Sequence, residues 1–210
     1  SVACDAPQSV RETVEAELER PLETLFADFD TTPLASASIG QVHRARLHSG
    51  EDVVVKVQHA GIRRRMEIDL DILGGLAQIA EKTLELEAYR PQATVAEFRR
   101  IVRRELDFER EARNLQQFER NFAGTPHVKI PRLYPRLSTG RVMTMEWLDG
   151  AKLCDPAVRR MPNIDVRQVT RQGAEMYLEM IFHHGFYHGD PHPGNLVVLP
   201  DGSIGLLDFG

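Results

Sequence analysis

Residues 188–210 read HGDPHPGNLVVLPDGSIGLLDFG, and this stretch decides how the rest of the chain is interpreted. Two short apolar runs, at 196–199 and 204–207, are separated by Pro-Asp-Gly, which is typical of a hairpin turn. A hairpin would fold Asp208 back beside Asn195. Their side chains offer the oxygen ligands that a hard cation prefers, so the sequence predicts that Asn195 and Asp208 bind one metal ion.

Asp190 precedes Asn195 by five residues, which is the spacing of the protein-kinase catalytic loop. In that loop the Asp holds the substrate hydroxyl and the Asn binds magnesium. Gly, Pro and Asp also mark ordinary loops. Because the loop, the hairpin and D-F-G occur in order at workable spacing, we interpret Asp190 as a catalytic residue.

A metal site is the alternative for the same stretch. His188, Asp190 and His192 alternate along the chain and would share one face of an extended segment. No further His or Cys cluster completes a ligand shell, so this alternative is the weaker one.

Composition limits the class of protein. The chain has 210 residues, 42% of them hydrophobic and 27% charged, which suits one large domain or two lobes of a globular protein. The net charge of -5 argues against a dedicated nucleic-acid binder. Cys4 and Cys154 lack metal or redox spacing, which favours a reducing compartment. The first residues do not resemble a signal peptide, and no apolar run approaches a membrane span. We therefore expect a cytoplasmic protein, with membrane association provided by other segments.

Residues 35–42 read ASASIGQV and correspond to the kinase glycine loop G-x-G-x-x-G-x-V. Alanine replaces the first two glycines, disfavours positive φ, and places a methyl group between the backbone and a phosphate. Taken alone, so degenerate a motif is more simply a turn into a strand. In this context the predicted nucleotide contacts are Ala35, Ser36, Ala37, Ser38, Gly40 and Val42.

Residues 51–58 read EDVVVKVQ, a β-branched run that predicts a strand. Alternation places Val54 and Lys56 on one face and the other three valines on the opposite face. A buried lysine requires a carboxylate or phosphate partner, whereas an edge-strand lysine would face water. After the loop at 35–42, Lys56 is interpreted as the kinase lysine that holds nucleotide phosphates, with Val54 beside it.

Two long helices are predicted from the periodicity at 61–87 and 93–122. Gly74-Gly75 would kink or break the first. Glu105 and Glu111 lie on or beside the apolar stripe of the second. Either could neutralise the lysine of the valine strand, and periodicity does not decide between them.

Other predicted elements are a helix from a capping box at Ser9 to about Arg20, an amphipathic piece at 22–29, a strand pair at 128–133 and 141–147, and a helix at 169–184. The second strand of the pair runs into Glu146 and Leu148. A kinase hinge presents backbone groups to adenine at such a position, so both residues are predicted nucleotide contacts.

Together these stretches resemble the UbiB/AarF family of atypical protein-kinase-like proteins, also called ADCK. The resemblance rests on PLASASIGQVHRA, VVVKVQ, ELDFEREARN, MEWLDG, HGDPHPGN and LLDFG, which cover nearly the whole chain from residue 33. It implies an α+β protein-kinase-like fold. An N-terminal helical extension would occupy 1–32, an N-lobe sheet with long helices 33–149, and the start of a truncated helical C-lobe 150–210.

The resemblance also implies roles for individual side chains: pairing with Lys56 for Glu111, a site-facing E-x-D motif for Glu105 and Asp107, catalysis for Asp190, and magnesium binding for Asn195 and Asp208. It implies ATP or ADP binding, ATPase activity in some members, and a role in ubiquinone or other isoprenoid-lipid metabolism at a membrane. The expected partners are the nucleotide, lipid or isoprenoid-quinone intermediates and lipid-biosynthesis proteins, with no nucleic acid.

Two departures from protein kinases carry expectations of their own. Gly189 replaces the Arg of kinase H-R-D, so activation by an activation-loop phosphate is not expected. Because the sequence stops at D-F-G, we expect a fragment whose C-lobe exposes apolar side chains around 169–182.

Two other functions remain open from the sequence. A small-molecule kinase of the aminoglycoside or choline type also uses H-G-D-x-x-x-x-N, although the alanine-rich loop and ELDFEREARN argue against it. A nucleotide-binding pseudokinase scaffold is the second. Turnover with Asp190→Asn as control would separate the scaffold from the enzymes.

Overall fold

The computed structural model describes residues 4–82, 89–162, 164–190 and 192–210. Its first sheet contains β1 (Asp28–Phe29), β2 (Ala35–Ser36), β3 (Gly40–Arg46), β4 (Asp52–Gln58) and β6 (Val142–Glu146). The order is β1-β3-β4-β6, all pairs are antiparallel, and β2 also pairs with β3. The valine strand predicted from the sequence is therefore central in this sheet.

The predicted alternation along β4 is confirmed, and the two faces of the strand contribute to two different hydrophobic cores. Val54 belongs to the larger core, whereas Val53, Val55 and Val57 pack in a second core with the N-terminal helices. Side chains of a strand point alternately to its two faces, so one strand contributes to both cores. This alternation brings Lys56 onto the same face as Val54.

Helix α1 (Pro7–Leu18) buries Val10 and Val14 against the second core. The predicted capping box is wrong, because the helix begins two residues before Ser9 and its N-cap, Ala6, makes no side-chain cap. Proline at the first helical position suits this start, since its missing N–H has no helical partner.

The predicted amphipathic piece at 22–29 divides into two elements. Helix α2 (Leu22–Leu25) is followed by β1, which pairs with β3 at the sheet edge. The first sheet therefore includes residues 28–29, which lie within the N-terminal extension predicted at 1–32.

Helix α3 (Ile62–Ala80) runs through Gly74 and Gly75 without interruption, so the predicted break is wrong; residues 83–87 of that prediction lie outside the described residues. Arg99 of the next helix donates to the Leu70 carbonyl oxygen at 3.0 Å and to Asp71 at 2.9 Å. These hydrogen bonds fasten the two helices at the glycine pair.

The predicted helix at 93–122 is two helices, α4 (Pro91–Glu105) and α5 (Phe108–Asn121). Asp107 has extended backbone and caps α5 by accepting from the Glu109 N–H at 3.1 Å. The Leu106 carbonyl accepts from Gln58 Nε2 at 2.9 Å and Arg63 Nη2 at 2.7 Å. Tertiary donors thus satisfy the carbonyl where the helix ends.

The second sheet contains β5 (Val128–Lys129), β7 (Ala151–Lys152), β8 (Leu196–Val198) and β9 (Ile204–Leu206), in the order β5-β9-β8-β7. The predicted hairpin is confirmed, because β8 and β9 pair antiparallel and Gly202 of the turn has φ of 84°. The predicted strand pair at 128–133 and 141–147 is only partly correct. β5 pairs in parallel with β9 instead, and a single bridge joins Leu133 to Met145.

Helix α6 (Val166–Glu179) continues into one π-helical turn at Met180–His184. Val169 and Met176 are buried in the larger core. The opposite side exposes Leu178, Ile181 and Phe182, the last with 82% exposure, so the predicted exposure holds for only part of 169–182. No helix in the described part of the chain has the length and apolar character to cross a bilayer.

Candidate active site

A cavity of about 450 Å³ lies between the first sheet, the start of α5 and the C-terminal segment. The alanine-rich loop forms one wall and Lys56 of β4 projects from another. Twelve of the residues that the sequence predicts to form or face the site line it: Ala35, Ser36, Ala37, Ser38, Gly40, Val42, Lys56, Glu105, Asp107, Glu111, Asp190 and Asp208. Residues far apart in sequence therefore share one cavity.

Four predicted site residues are not among the described residues that line this cavity. Val54 and Leu148 are buried, with 8% and 6% exposure. Glu146 pairs with Lys129 at 2.9 Å and accepts from the Arg132 N–H at 3.0 Å. The fourth, Asn195, lies beside the cavity in contact with Asp190. The residues predicted to contact phosphates thus lie around one cavity, whereas the predicted hinge residues Glu146 and Leu148 do not line it.

Lys56 is the best-defined group in the cavity. Its Nζ lies 2.7 and 2.6 Å from the two carboxylate oxygens of Glu111 and 3.7 Å from Oδ1 of Asp208. The ammonium also lies 5.1 Å from the centre of the Phe108 ring, within the range of a cation–π contact. Of the two candidate glutamates, Glu111 pairs with the lysine, while Glu105 sits exposed at the cavity wall.

The Lys56 ammonium faces two carboxylates, whose pKa values shift in opposite directions. Burial raises the pKa of Glu111, and the neighbouring Asp208 adds to this, against the opposing attraction of Lys56. Burial alone would raise the pKa of Asp208, but Lys56, Glu111 and the Gly210 N–H together lower it. Burial would lower the pKa of Lys56, yet the surrounding carboxylates raise it. The lysine is therefore held as an ammonium.

His188 connects the catalytic-loop segment to D-F-G. Its Nε2 donates to the Asp208 carbonyl oxygen at 2.6 Å, and its Nδ1 accepts from the Asp190 N–H at 3.0 Å. Because the carbonyl only accepts, this geometry assigns the hydrogen to Nε2. Both ring nitrogens are thus occupied, which gives His188 a structural role.

The alternative metal site at residues 188–192 has no support from this geometry. Nδ1 of His192 accepts from the Gly194 N–H at 3.0 Å. Within the described ranges, no three His, Cys, Asp or Glu side chains are grouped as metal ligands.

The hairpin pairs the backbone at Asn195 with Leu207, the residue before Asp208. The Leu207 N–H donates to the Asn195 carbonyl at 2.9 Å, and Asn195 Nδ2 donates to Oδ2 of Asp190 at 3.1 Å. The available donor set is one carboxylate and one amide oxygen. Mg²⁺ is commonly held by one or two such protein ligands together with substrate phosphates, so the residues fit this ion.

Three positioning side chains escaped the sequence reasoning. Asn114 donates to the Phe209 carbonyl at 2.8 Å and thereby fastens D-F-G to α5. It lies one helical turn after Glu111, a spacing that could have indicated it. Gln58 and Arg63, which hold the Leu106 carbonyl, gave no local signal because their partner is more than 40 residues away.

Comparison with known proteins places this geometry in a family. Residues 2–210 match the ABC1 atypical kinase-like domain. An uncharacterized protein of Synechocystis is 41% identical over 94% of this chain and 34% of its own length. Protein ACTIVITY OF BC1 COMPLEX KINASE 1, chloroplastic, of Arabidopsis thaliana is 39% identical over 94% of this chain and 29% of its own length. The chain thus spans about a third of the curated relatives it matches.

A solved structure supports the fold independently. The Rv3197–erythromycin complex from Mycobacterium tuberculosis matches with a TM-score of 0.82 at 28% identity, over 98% of this chain and 51% of that one. The α+β protein-kinase-like fold predicted from the sequence is therefore confirmed, as is the UbiB/AarF-type resemblance. The chain belongs to the ABC1 atypical kinase-like family.

Proposed function

We propose that this chain binds ATP together with Mg²⁺ and transfers or hydrolyses the terminal phosphoryl group. The observation that carries the proposal is the position of Lys56, between Glu111 and Asp208 in a cavity walled by the alanine-rich loop. A fixed ammonium in such a cavity attracts phosphate oxygens and stabilises charge that develops on them.

The residues of the cavity would divide the work. Glu111 orients the Lys56 ammonium, so that the lysine meets phosphate without first reorganising. Asp190 accepts the hydrogen bond of an attacking hydroxyl or water and holds it in place. The contact from Asn195 fixes the Asp190 carboxylate.

Asn195 and Asp208 would hold the magnesium ion. When bound, Mg²⁺ neutralises charge on phosphate oxygens. His188 and Asn114 keep this side of the cavity in register, since both are hydrogen bonded to the backbone of D-F-G.

Calorimetric titration with ATP and ADP, with and without magnesium, tests the proposal. Asp208→Asn should abolish the magnesium-dependent part of ATP binding because it removes the metal carboxylate. Asp69→Asn is the matched control, since it makes the same charge change at an exposed residue of α3 that does not line the cavity. Equal loss in both variants, or no nucleotide binding by the wild-type chain, would contradict the proposal.

Turnover then separates an enzyme from a nucleotide-binding scaffold. With Asp190→Asn, phosphate release should fall by at least about a hundredfold, a typical effect of removing a positioned acid–base group. Unchanged release would remove Asp190 from the reaction. Retained binding without turnover in the wild-type chain would favour the pseudokinase scaffold.

For the whole protein, we propose a role in ubiquinone or other isoprenoid-lipid metabolism at a membrane, in contact with lipid intermediates and lipid-biosynthesis proteins. Support comes from family membership, and a protein of 39% identity carries a name that refers to the activity of the bc1 complex. Quinone content of cells that carry Asp190→Asn in the full-length gene tests this role. Unchanged quinone and isoprenoid-lipid levels would contradict it.

A further inference from the structure

The alanine-rich loop is held by a histidine that follows strand β4. His59 is buried, with 6% exposure, and is not among the described residues lining the cavity. Its backbone N–H donates to the Ile39 carbonyl at 2.9 Å, and its Nε2 lies 2.9 Å from the Ala37 carbonyl oxygen. A carbonyl oxygen accepts only, so this contact requires a hydrogen on Nε2. One residue therefore fastens two carbonyl groups of the loop.

The second ring nitrogen of His59 faces Asp5. Nδ1 lies 3.3 Å from Oδ2 of Asp5 and has no aligned hydrogen bond within the described part of the chain. The carboxylate is itself fixed, because Oδ2 accepts from the Ala60 N–H at 2.9 Å and the Asp5 N–H donates to Gln41 Oε1 at 2.8 Å. Asp5 is thus held beside the His59 ring through both its backbone and its side chain.

Both nitrogens of the ring thus face acceptors. The ring lies between the Ala37 carbonyl, which accepts from Nε2, and the Asp5 carboxylate, whose Oδ2 is 3.3 Å from Nδ1. The contact between Asp5 and the His59 ring thereby connects the N-terminal segment to the alanine-rich loop.

We propose that His59, supported by Asp5, is a positioning residue for nucleotide phosphates, an inference that rests on the proposed ATP binding. Its two hydrogen bonds keep the Ala37 and Ile39 carbonyls directed at His59. Carbonyl oxygens carry partial negative charge and would repel a phosphate if they turned into the cavity. Alanine has less backbone freedom than glycine, so fewer conformations are open to this loop. The two hydrogen bonds from His59 hold one of them.

The ratio of ATP affinity to adenosine affinity measures this role. His59→Ala should weaken ATP binding by about fivefold, the usual equivalent of one lost hydrogen bond to a neutral carbonyl, and leave adenosine binding unchanged. Asp5→Ala should have a smaller effect in the same direction. His59→Gln retains an N–H donor and should recover part of the ratio.

A second readout needs no nucleotide. Amide hydrogen exchange at residues 35–42 of the 210-residue chain should become faster in His59→Ala and Asp5→Ala. Nitrogen NMR of wild-type His59 should show a hydrogen on Nε2, which the contact with the Ala37 carbonyl requires. His48→Ala is the matched control, because His48 also contacts a carbonyl, that of Glu23 at 3.0 Å, but does not contact the loop.

The outcomes separate this inference from the proposed function. No ATP binding by the wild-type chain overturns the proposed function and the phosphate role of His59 together. If the wild-type chain binds ATP and His59→Ala leaves the ratio of ATP to adenosine affinity unchanged, this inference alone is overturned. Unchanged amide exchange at residues 35–42 would show that His59 does not hold the loop. If His59→Ala does not fold, Asp5→Ala decides by the same measurements, because the Asp5 side chain is 24% exposed.

Discussion

Helices α4 and α5 are separated by two residues, yet their surroundings differ completely. Every residue of α4 is at least partly exposed, including Phe98 and Ile101 at 49% and 46%. Helix α5 buries five residues: Phe108, Glu111, Ala112, Leu115 and Phe118. Both sequences are amphipathic, so periodicity identifies an apolar face without showing what covers it.

The break between the two helices explains the difference. At Leu106 and Asp107 the chain leaves α4, which packs on α3, and enters α5, which packs under the first sheet. Glu105 and Glu111 lie only six residues apart but end up in opposite environments, one exposed and one buried against Lys56. A short break thus selects which glutamate belongs to the lysine.

Truncation of an apolar side chain to alanine should give the largest contrast in unfolding free energy between these helices. Leu115→Ala should lower the free energy of unfolding by about 3 kcal/mol, because Leu115 has 0% exposure and its removal leaves a cavity. Ile101→Ala on α4 should cost less than about 0.5 kcal/mol. Urea unfolding of both variants checks this, and similar losses would contradict the burial difference.

The two glutamates should give the next largest contrast. Glu111→Gln should cost about 2 kcal/mol, below the usual range for a broken buried pair, because the Lys56 side chain is 24% exposed and Asp208 remains nearby. Glu105→Gln, the matched control, should cost less than about 0.5 kcal/mol.

A double variant sharpens the test of this ion pair. Lys56→Met combined with Glu111→Leu should lose less stability than the two single variants added together, because no buried charge is left without a partner. Additive losses in denaturant unfolding would show that the two side chains do not interact.

Loss of the donors to the Leu106 carbonyl should destabilise the backbone conformation between α4 and α5. Gln58→Ala should cost about 1 kcal/mol, since it removes a hydrogen bond to the Leu106 carbonyl. Arg63→Ala should cost more, because Arg63 donates to the carbonyls of Leu106 and Gly140 and to Oε1 of Gln58. Amide exchange at residues 105–109 should rise in both variants and stay unchanged in Arg64→Ala, an exposed neighbour. Unchanged exchange in all three would show that the break does not depend on these donors.

The smallest expected effect is a pH dependence of the unfolding free energy that arises from Glu111 of α5. Burial raises the pKa of Glu111 above its ordinary value, so the folded chain binds more protons than the unfolded chain between the two values. The free energy of unfolding should therefore fall as pH rises through that window. Subtracting the Glu111→Gln curve from the wild-type curve isolates this slope, and Glu105→Gln supplies the reference. A rising difference would contradict the assigned direction.

Local sequence was sufficient for features that depend on neighbouring residues. Alternation placed Val54 and Lys56 on one face of β4, and Pro-Asp-Gly predicted the turn that pairs β8 with β9. It failed where a distant group competes with a local one. The helix predicted at 93–122 ends because Gln58 and Arg63 take the Leu106 carbonyl, and β5 pairs with β9 rather than with the strand that follows it.

The sequence by itself determined the family, and it predicted the residue types of the candidate site and their order along the chain, because motif spacing and side-chain alternation are local properties. The tertiary structure shows the Glu111–Lys56 pair, which periodicity left open and the family resemblance implied. Only the tertiary structure separated Glu146 and Leu148 from the cavity and joined Asp5 and His59 to the alanine-rich loop. These decisions depend on contacts between residues distant in sequence, whose free energies local patterns do not contain.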